Sequence, residues 1–216
     1  MVDHREVEVA LEGAAEPLRP LDVLDLRDHA DLGQLRGAPI TDAELNASIA
    51  AYNDNRAALR DLYAYRAAKP WQAPTSEVYL VQRAGMVLPV EEHTALVRQY
   101  LAAAEKLSRP KRDNARVVLT GGFCEQPPLA LIKSIEMAGC YVVDDDLQLV
   151  TRWLTSDVPT SGDPLQNLAL AFLHHSESTA AKYEPNQKEK GQHLVRAVKR
   201  TGAEGVIFAA PSFCDP

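Results

Sequence analysis

The chain has 216 residues, of which 46% are hydrophobic and 25% charged. That balance is enough to bury a core and is ordinary for an α/β domain with a helical extension. A net charge of −7 argues against a general nucleic-acid footprint, no apolar run reaches the length of a membrane span, and the charged start MVDHREVEVALEG lacks the apolar core of a signal peptide, so the expected location is the cytoplasm. The three cysteines, Cys124, Cys140 and Cys214, are odd in number and widely spaced. They read as free or metal-bound thiols in a reducing compartment rather than as a disulfide framework.

Residues 1–40 carry Pro17, Pro20 and Pro39 and only short apolar pieces such as LDVLDL. They are expected to form an irregular arm or the remnant of a missing N-terminal domain. From Thr41 the signals sharpen. Thr41-Asp-Ala-Glu44 is a capping box, followed by Leu45, Ile49, Tyr52, Leu59, Leu62 and Tyr63 at helical spacing. This helix should stop before Pro70. A shorter helix near 76–85 and another from 89 to about 108 complete a helical segment over 41–110.

Arg109 to Asn114 is polar punctuation, and residues 111–216 then read as an incomplete α/β domain. Arg116–Thr120 is a short strand leading into Gly121-Gly122. Pro127 and Pro128 open a helix with Pro128, Leu131, Ile132, Ile135 and Ala138 on one face, ended by Gly139. Cys140–Val143 is a second strand running into Asp144-Asp145-Asp146. Strand, helix, strand implies a parallel crossover. Asp163-Pro164 starts a helix whose buried face should be Leu165, Leu168, Ala169 and Phe172. A helix over about 188–201 should bury Leu194, Val195 and Val198. Gly202 and Gly205 bracket the turn into a third strand, 206–210. A buried parallel strand needs helices over both faces, and three strands make a small sheet. The pattern therefore predicts a partial domain.

Ligands in open α/β sheets bind beyond the carboxyl ends of the strands. Those ends carry Gly121-Gly-Phe-Cys124-Glu-Gln, Asp144–Asp146, and Pro211-Ser-Phe-Cys214-Asp-Pro. Paired strands lie ~4.8 Å apart, so two thiols could reach one rim site. Cys214 has two readings: a small apolar residue in a turn, or a thiolate ligand to an iron–sulfur cluster. Cys124 follows two glycines and precedes a helix start, where amide dipoles favour thiolates, phosphates or a thioester group. It also reads simply as part of a structural turn. Cys140 begins a strand, at the opposite edge, and is read as core. The Asp144–Asp146 run is read as a solvated loop with one cap, and His93, on a charged helix start, as a surface residue. His174-His175, adjacent on a helix, point to different sides and do not chelate as a pair.

At the cysteine loops the sequence becomes recognisable. RVVLTGGFCEQPPLALIKSIEMAGCYVVDDD, GDPLQNLALAFLHHS and EGVIFAAPSFCDP, with ITDAELNASIAAYNDNR and VYLVQRAGMVLPVEEH upstream, resemble the C-subunit family of ATP-dependent benzoyl-CoA reductases. These belong to one superfamily with the 2-hydroxyacyl-CoA dehydratases, and the resemblance covers about residues 37–216. It implies a flavodoxin-like α/β architecture, with a helical segment followed here by a partial three-stranded parallel sheet in the order 2-1-3. It implies an oxygen-sensitive enzyme of anaerobic aromatic degradation that reduces benzoyl-CoA to a cyclic dienoyl-CoA. Each subunit of such an enzyme gives three cysteines to a [4Fe–4S] cluster. The implied partners are a homologous B-type subunit, ATP-hydrolysing electron-activating subunits, and ferredoxin as electron source.

By residue, Cys214 matches the family's late cluster ligand. Cys124 falls in the GGFCEQPP loop as a second candidate ligand, and Gly121, Gly122, Phe123 and Glu125 are candidate substrate contacts. The resemblance also implies a chain cut short at both ends and inactive by itself. Two other readings stay open: a 2-hydroxyacyl-CoA dehydratase subunit, and a non-catalytic interaction module that pairs with a longer subunit.

Overall fold

A computed structural model describes residues 33–121, 127–147, 156–174 and 191–209. Helix α1 spans Asp42–Ala68 and opens on the capping box the sequence predicts. The Thr41 hydroxyl accepts from the Glu44 N–H, and Glu44 accepts from the Thr41 N–H at 2.9 Å. The helix ends ahead of Pro70, with Lys69 as its C-cap, because proline has no N–H to continue the ladder and its ring would clash with the preceding turn. Helices α2 (Thr75–Ala84) and α3 (Val90–Lys106) follow. Ala58, Leu59 and Leu62 of α1 meet Val78 of α2 and Val97 of α3 in one apolar cluster, as the helical spacing of those residues requires.

Strand β1 (Ala115–Thr120) leads to α4 (Leu129–Met137) and then β2 (Cys140–Asp145). Gly139, at φ 91°, supplies the left-handed residue that ends α4 and turns the chain directly into β2. Helices α5 (Pro164–His174) and α6 (Gln192–Thr201) precede β3 (Gly205–Phe208). The sheet is parallel, in the order β2-β1-β3, which is the α/β class and strand order expected. The β1–β2 register slips between Val117 and Val118, so β2 gains a residue on β1 before its acidic end.

The helical segment and the sheet share a core. Tyr79 of α2 packs with Val117, Leu119, Ile132, Ile135, Val142 and Leu147. Its hydroxyl donates to the Pro127 carbonyl at 2.8 Å, and the Thr75 hydroxyl donates to the Val142 carbonyl at 2.8 Å. A smaller cluster of Ile49, Val158 and Ala171 joins α1 to α5.

Several expected faces are corrected. In α5, Ala169 is buried as expected and Leu168 packs half-buried, but Pro164 and Ala171 are also buried and Phe172 is half exposed. In α6 the buried residues are Ala197 and Thr201, and Val195 is exposed. Both helices approach closely enough that small residues fill the contact. Thr201 is tolerated inside because its hydroxyl donates to the Ala197 carbonyl at 2.8 Å. In α4, Ile132 and Ile135 are buried but Leu131 is not. The third strand ends at Phe208, short of the expected residue 210, which lies outside the described residues.

Candidate functional site

The carboxyl ends of the strands bring together Thr120-Gly121, Asp144–Asp146 and Phe208-Ala209. The acidic run is not the solvated loop expected of it. Asp144 and Asp145 are 4% and 6% exposed, because the lengthened β2 carries them under α1 and α6. Burying two carboxylates side by side requires cations and donors, and the helices provide them. Arg66, fully buried on α1, donates to Asp145 at 2.6 Å and stands 3.9 Å from Asp144. The Tyr63 hydroxyl donates to Asp145 at 3.0 Å, and the Arg66 guanidinium lies 4.4 Å from the centroid of the Tyr63 ring. Arg200 of α6 donates to Asp144 at 2.6 Å. The Leu147 N–H donates to Asp145.

Burial pushes the Asp144 carboxyl upward even against the pull of Arg66 and Arg200. Burial, then the neighbouring Asp145 charge, pushes the Tyr63 phenol well above its usual value. Arg66 is raised: burial alone would lower it, but Asp145 leads the groups that outweigh this, so it stays a cation.

Asp146 turns the other way, into the rim. Its carboxylate accepts from the Thr120 hydroxyl at 2.6 Å and from the Gly121 N–H at 3.2 Å. His193, in the first turn of α6, places Nε2 3.5 Å from the same carboxylate. That is ion-pair distance, without the geometry of a hydrogen bond, and neither ring nitrogen is exposed. Gly121 adopts φ 101°, a conformation that favours glycine. Ala209 continues the ladder by donating its N–H to the Thr120 carbonyl at 2.7 Å.

Of the site residues expected from sequence, Gly121 is thus placed at the rim. Gly122, Phe123, Cys124, Glu125 and Cys214 lie outside the described residues, as does His175. Cys140 is a free thiol at the start of β2, packed against the sheet core and away from the rim, as expected. Among the described residues no group of three His, Cys, Asp or Glu side chains could hold a metal. The described residues therefore do not by themselves form the cluster site that the resemblance implies.

His93 is corrected from surface to core. It is 4% exposed, with Nε2 3.0 Å from the Val81 carbonyl and Nδ1 3.0 Å from the Asn55 amide nitrogen. A carbonyl only accepts, so Nε2 carries the proton and Nδ1 accepts from Asn55.

Sequence reading missed Tyr63, Arg66, His193 and Arg200. Arg66 had a signal: it stands four residues after Leu62, on the buried face of α1. The other three had none, since their partners are far away in the chain.

Known proteins are similar to this chain. The family model described as 2-hydroxyglutaryl-CoA dehydratase, D-component, matches residues 29–216. The chain is 58% identical over 185 residues to the C-type subunit of benzoyl-CoA reductase from Thauera aromatica, covering 86% of this chain and 48% of that protein. It is 31% identical to the beta subunit of lactoyl-CoA dehydratase from Anaerotignum propionicum, covering 87% of this chain and 49% of that one. It is 27% identical to the beta subunit of (R)-2-hydroxyglutaryl-CoA dehydratase from Acidaminococcus fermentans, covering 86% and 49%. The chain spans about half the length of the curated relatives it matches. Among the described residues no helix is long and apolar enough to cross a membrane.

Proposed function

The chain belongs to the 2-hydroxyglutaryl-CoA dehydratase D-component family, and from that premise we propose that it is part of the C-type subunit of an ATP-dependent benzoyl-CoA reductase. The observation that carries this choice within the family is the 58% identity to the reductase protein, against 31% to the lactoyl-CoA dehydratase protein. In this reading the enzyme works in the cytoplasm in anaerobic aromatic degradation. It pairs with a homologous B-type subunit and receives low-potential electrons from ferredoxin through ATP-hydrolysing subunits. Two electrons and two protons enter the ring of benzoyl-CoA and leave a cyclohexadienoyl-CoA. Cys214 and Cys124 would contribute thiolates to a [4Fe–4S] cluster, which when bound would supply electrons one at a time. Gly121, Gly122, Phe123 and Glu125 contact the thioester substrate. Cys140 sits in the core, so this chain offers two rim thiols, fewer than such a cluster needs, and the isolated chain does not turn over.

A second reading, a subunit of a 2-hydroxyacyl-CoA dehydratase, is favoured by the family match itself. The test is anaerobic. The subunit with this sequence is produced with its partner subunits and given ATP, a low-potential reductant and either benzoyl-CoA or a 2-hydroxyacyl-CoA. Dienoyl-CoA formation supports the first reading. Dehydration alone supports the second, and turnover of neither thioester overturns both.

A further inference from the structure

We propose that Asp146 is a positioning residue: its carboxylate, backed by His193, fixes the backbone at Thr120-Gly121, where β1 ends. Two hydrogen bonds and one shielded imidazole converge on this side chain. The Thr120 hydroxyl reaches it at 2.6 Å, the Gly121 N–H at 3.2 Å, and His193 Nε2 stands at 3.5 Å.

Thr120 is the last residue of β1 and is buried. Gly121 follows at φ 101°. Its N–H turns out of the strand ladder and onto the Asp146 carboxylate. The Asp146 N–H donates to the Leu119 carbonyl at 3.2 Å, so the carboxylate is held in place by its own backbone. His193 comes from a third element, α6. Its ring nitrogens are shielded and make no hydrogen bond within the described geometry. A shielded imidazole N–H needs an acceptor, and the Asp146 carboxylate is the group beside it. Asp144, the acidic neighbour on β2, is already occupied by Arg200 and Arg66.

The carboxylate accepts from the Thr120 hydroxyl with one oxygen and from the Gly121 N–H with the other. An amide in its place still accepts from Gly121 and donates to the Thr120 hydroxyl, so removal of the side chain is what breaks both contacts.

This deepens the reading above, which puts substrate and cluster contacts in the segment that begins at Gly121. The experiment separates the two. The full chain, reduced and treated with chelator, is alkylated with iodoacetamide, and modification of Cys124 and Cys140 is followed by peptide mass spectrometry. Cys140, half-buried against the core at the other end of the sheet, is the internal control. In Asp146→Ala, Cys124 should react about tenfold faster while Cys140 keeps its wild-type rate, the effect of losing roughly one hydrogen bond at the end of β1. Thr120→Val should give a smaller rise at Cys124, and Thr120→Ser, which keeps the hydroxyl, should restore the wild-type rate.

An unchanged Cys124 rate in Asp146→Ala overturns the proposal. So does a rise at Cys124 that Cys140 matches across the variants, since that is general destabilisation. A selective rise at Cys124, together with an assembled enzyme that turns over neither thioester, would sink the functional reading and leave the positioning role standing.

Discussion

Arg66 shows how far one side chain can commit a fold. It is wholly enclosed, and two buried carboxylates depend on it. Such an arrangement adds little net stability over apolar packing, but removing one partner strands the others. Arg66→Met should therefore lower the stability of the chain by about 3–5 kcal/mol, read as a shift of the urea midpoint. Asp144, already pushed up by burial, would then take up a proton more readily.

His93 is the opposite case, a titratable group kept neutral. Burial lowers its pKa, and the Val81 carbonyl offsets this only in part. The unfolded chain thus binds the proton first as pH falls. The stability held by the neutral ring is full above the free value of ~6.5 and is lost as pH drops from there through the lowered folded pKa. Urea midpoints at about pH 7.5 and about pH 5.5 should fall further apart in wild type than in His93→Gln. The same ring makes Gly85 sensitive. A Cβ there would lie 2.6 Å from His93 Cε1, and the ring, bonded through both nitrogens, cannot retreat. Gly85→Ala should cost about 1–3 kcal/mol by overpacking, although its φ of −66° suits alanine.

At the scale of elements, local signals and local structure agree most closely where a cap is involved. Asp163 was legible as the start of α5. Its carboxylate accepts from the N–H groups of Leu165 at 2.9 Å and Gln166 at 3.2 Å. Asp163→Ala should cost about 1 kcal/mol, whereas Asp163→Asn, which keeps an acceptor, should cost only a few tenths. Paired urea titrations separate the two. The helices α1 to α4, and the strands β1 and β2, were likewise legible, because capping boxes, prolines, Gly139 and β-branched runs act within a few residues.

The buried faces were less so. Periodicity names the large apolar residues of a helix, yet α5 and α6 turn Ala169, Ala171, Ala197 and Thr201 inward. How near a helix can approach is decided by its neighbour, not by its own sequence. The same blindness made His93 look like surface and the Asp144–Asp146 run look solvated. A hydrophobic pattern cannot register a polar group whose partner, as with Arg66 and Asp145, stands 79 residues away.

For the whole molecule, the two ends of the sheet have separate roles. Cys140 and Tyr141 open β2 at the end where Gly139 hands the chain over from α4, and the Tyr141 hydroxyl there accepts from the Arg112 N–H at 2.8 Å. At the other end Thr120, Gly121, Asp146 and His193 gather where β1 ends. The α/β class, the parallel pairing and the central place of β1 could be anticipated, since a short strand, a helix and a second strand leave few connections open. The ring of partners at the rim could not, because it draws on α1, α6 and all three strand ends at once.

This polarity makes the cysteines unequal, and their inequality can be measured. The subunit with this sequence is assembled with its partners and reconstituted anaerobically with iron and sulfide. Bound iron, and the paramagnetic resonance signal after reduction, are then recorded. Cys214→Ala should lose most of its iron and the signal, as its proposed ligand role requires. Cys140→Ala should keep both, because that thiol packs against the sheet core at the far end. Loss of iron from Cys140→Ala with the fold intact would place a ligand where the geometry forbids one, and retention in Cys214→Ala would remove that residue from the site. Cys124→Ala should fall with Cys214→Ala if both thiols serve one centre, and with Cys140→Ala if the glycine-rich segment contacts substrate alone.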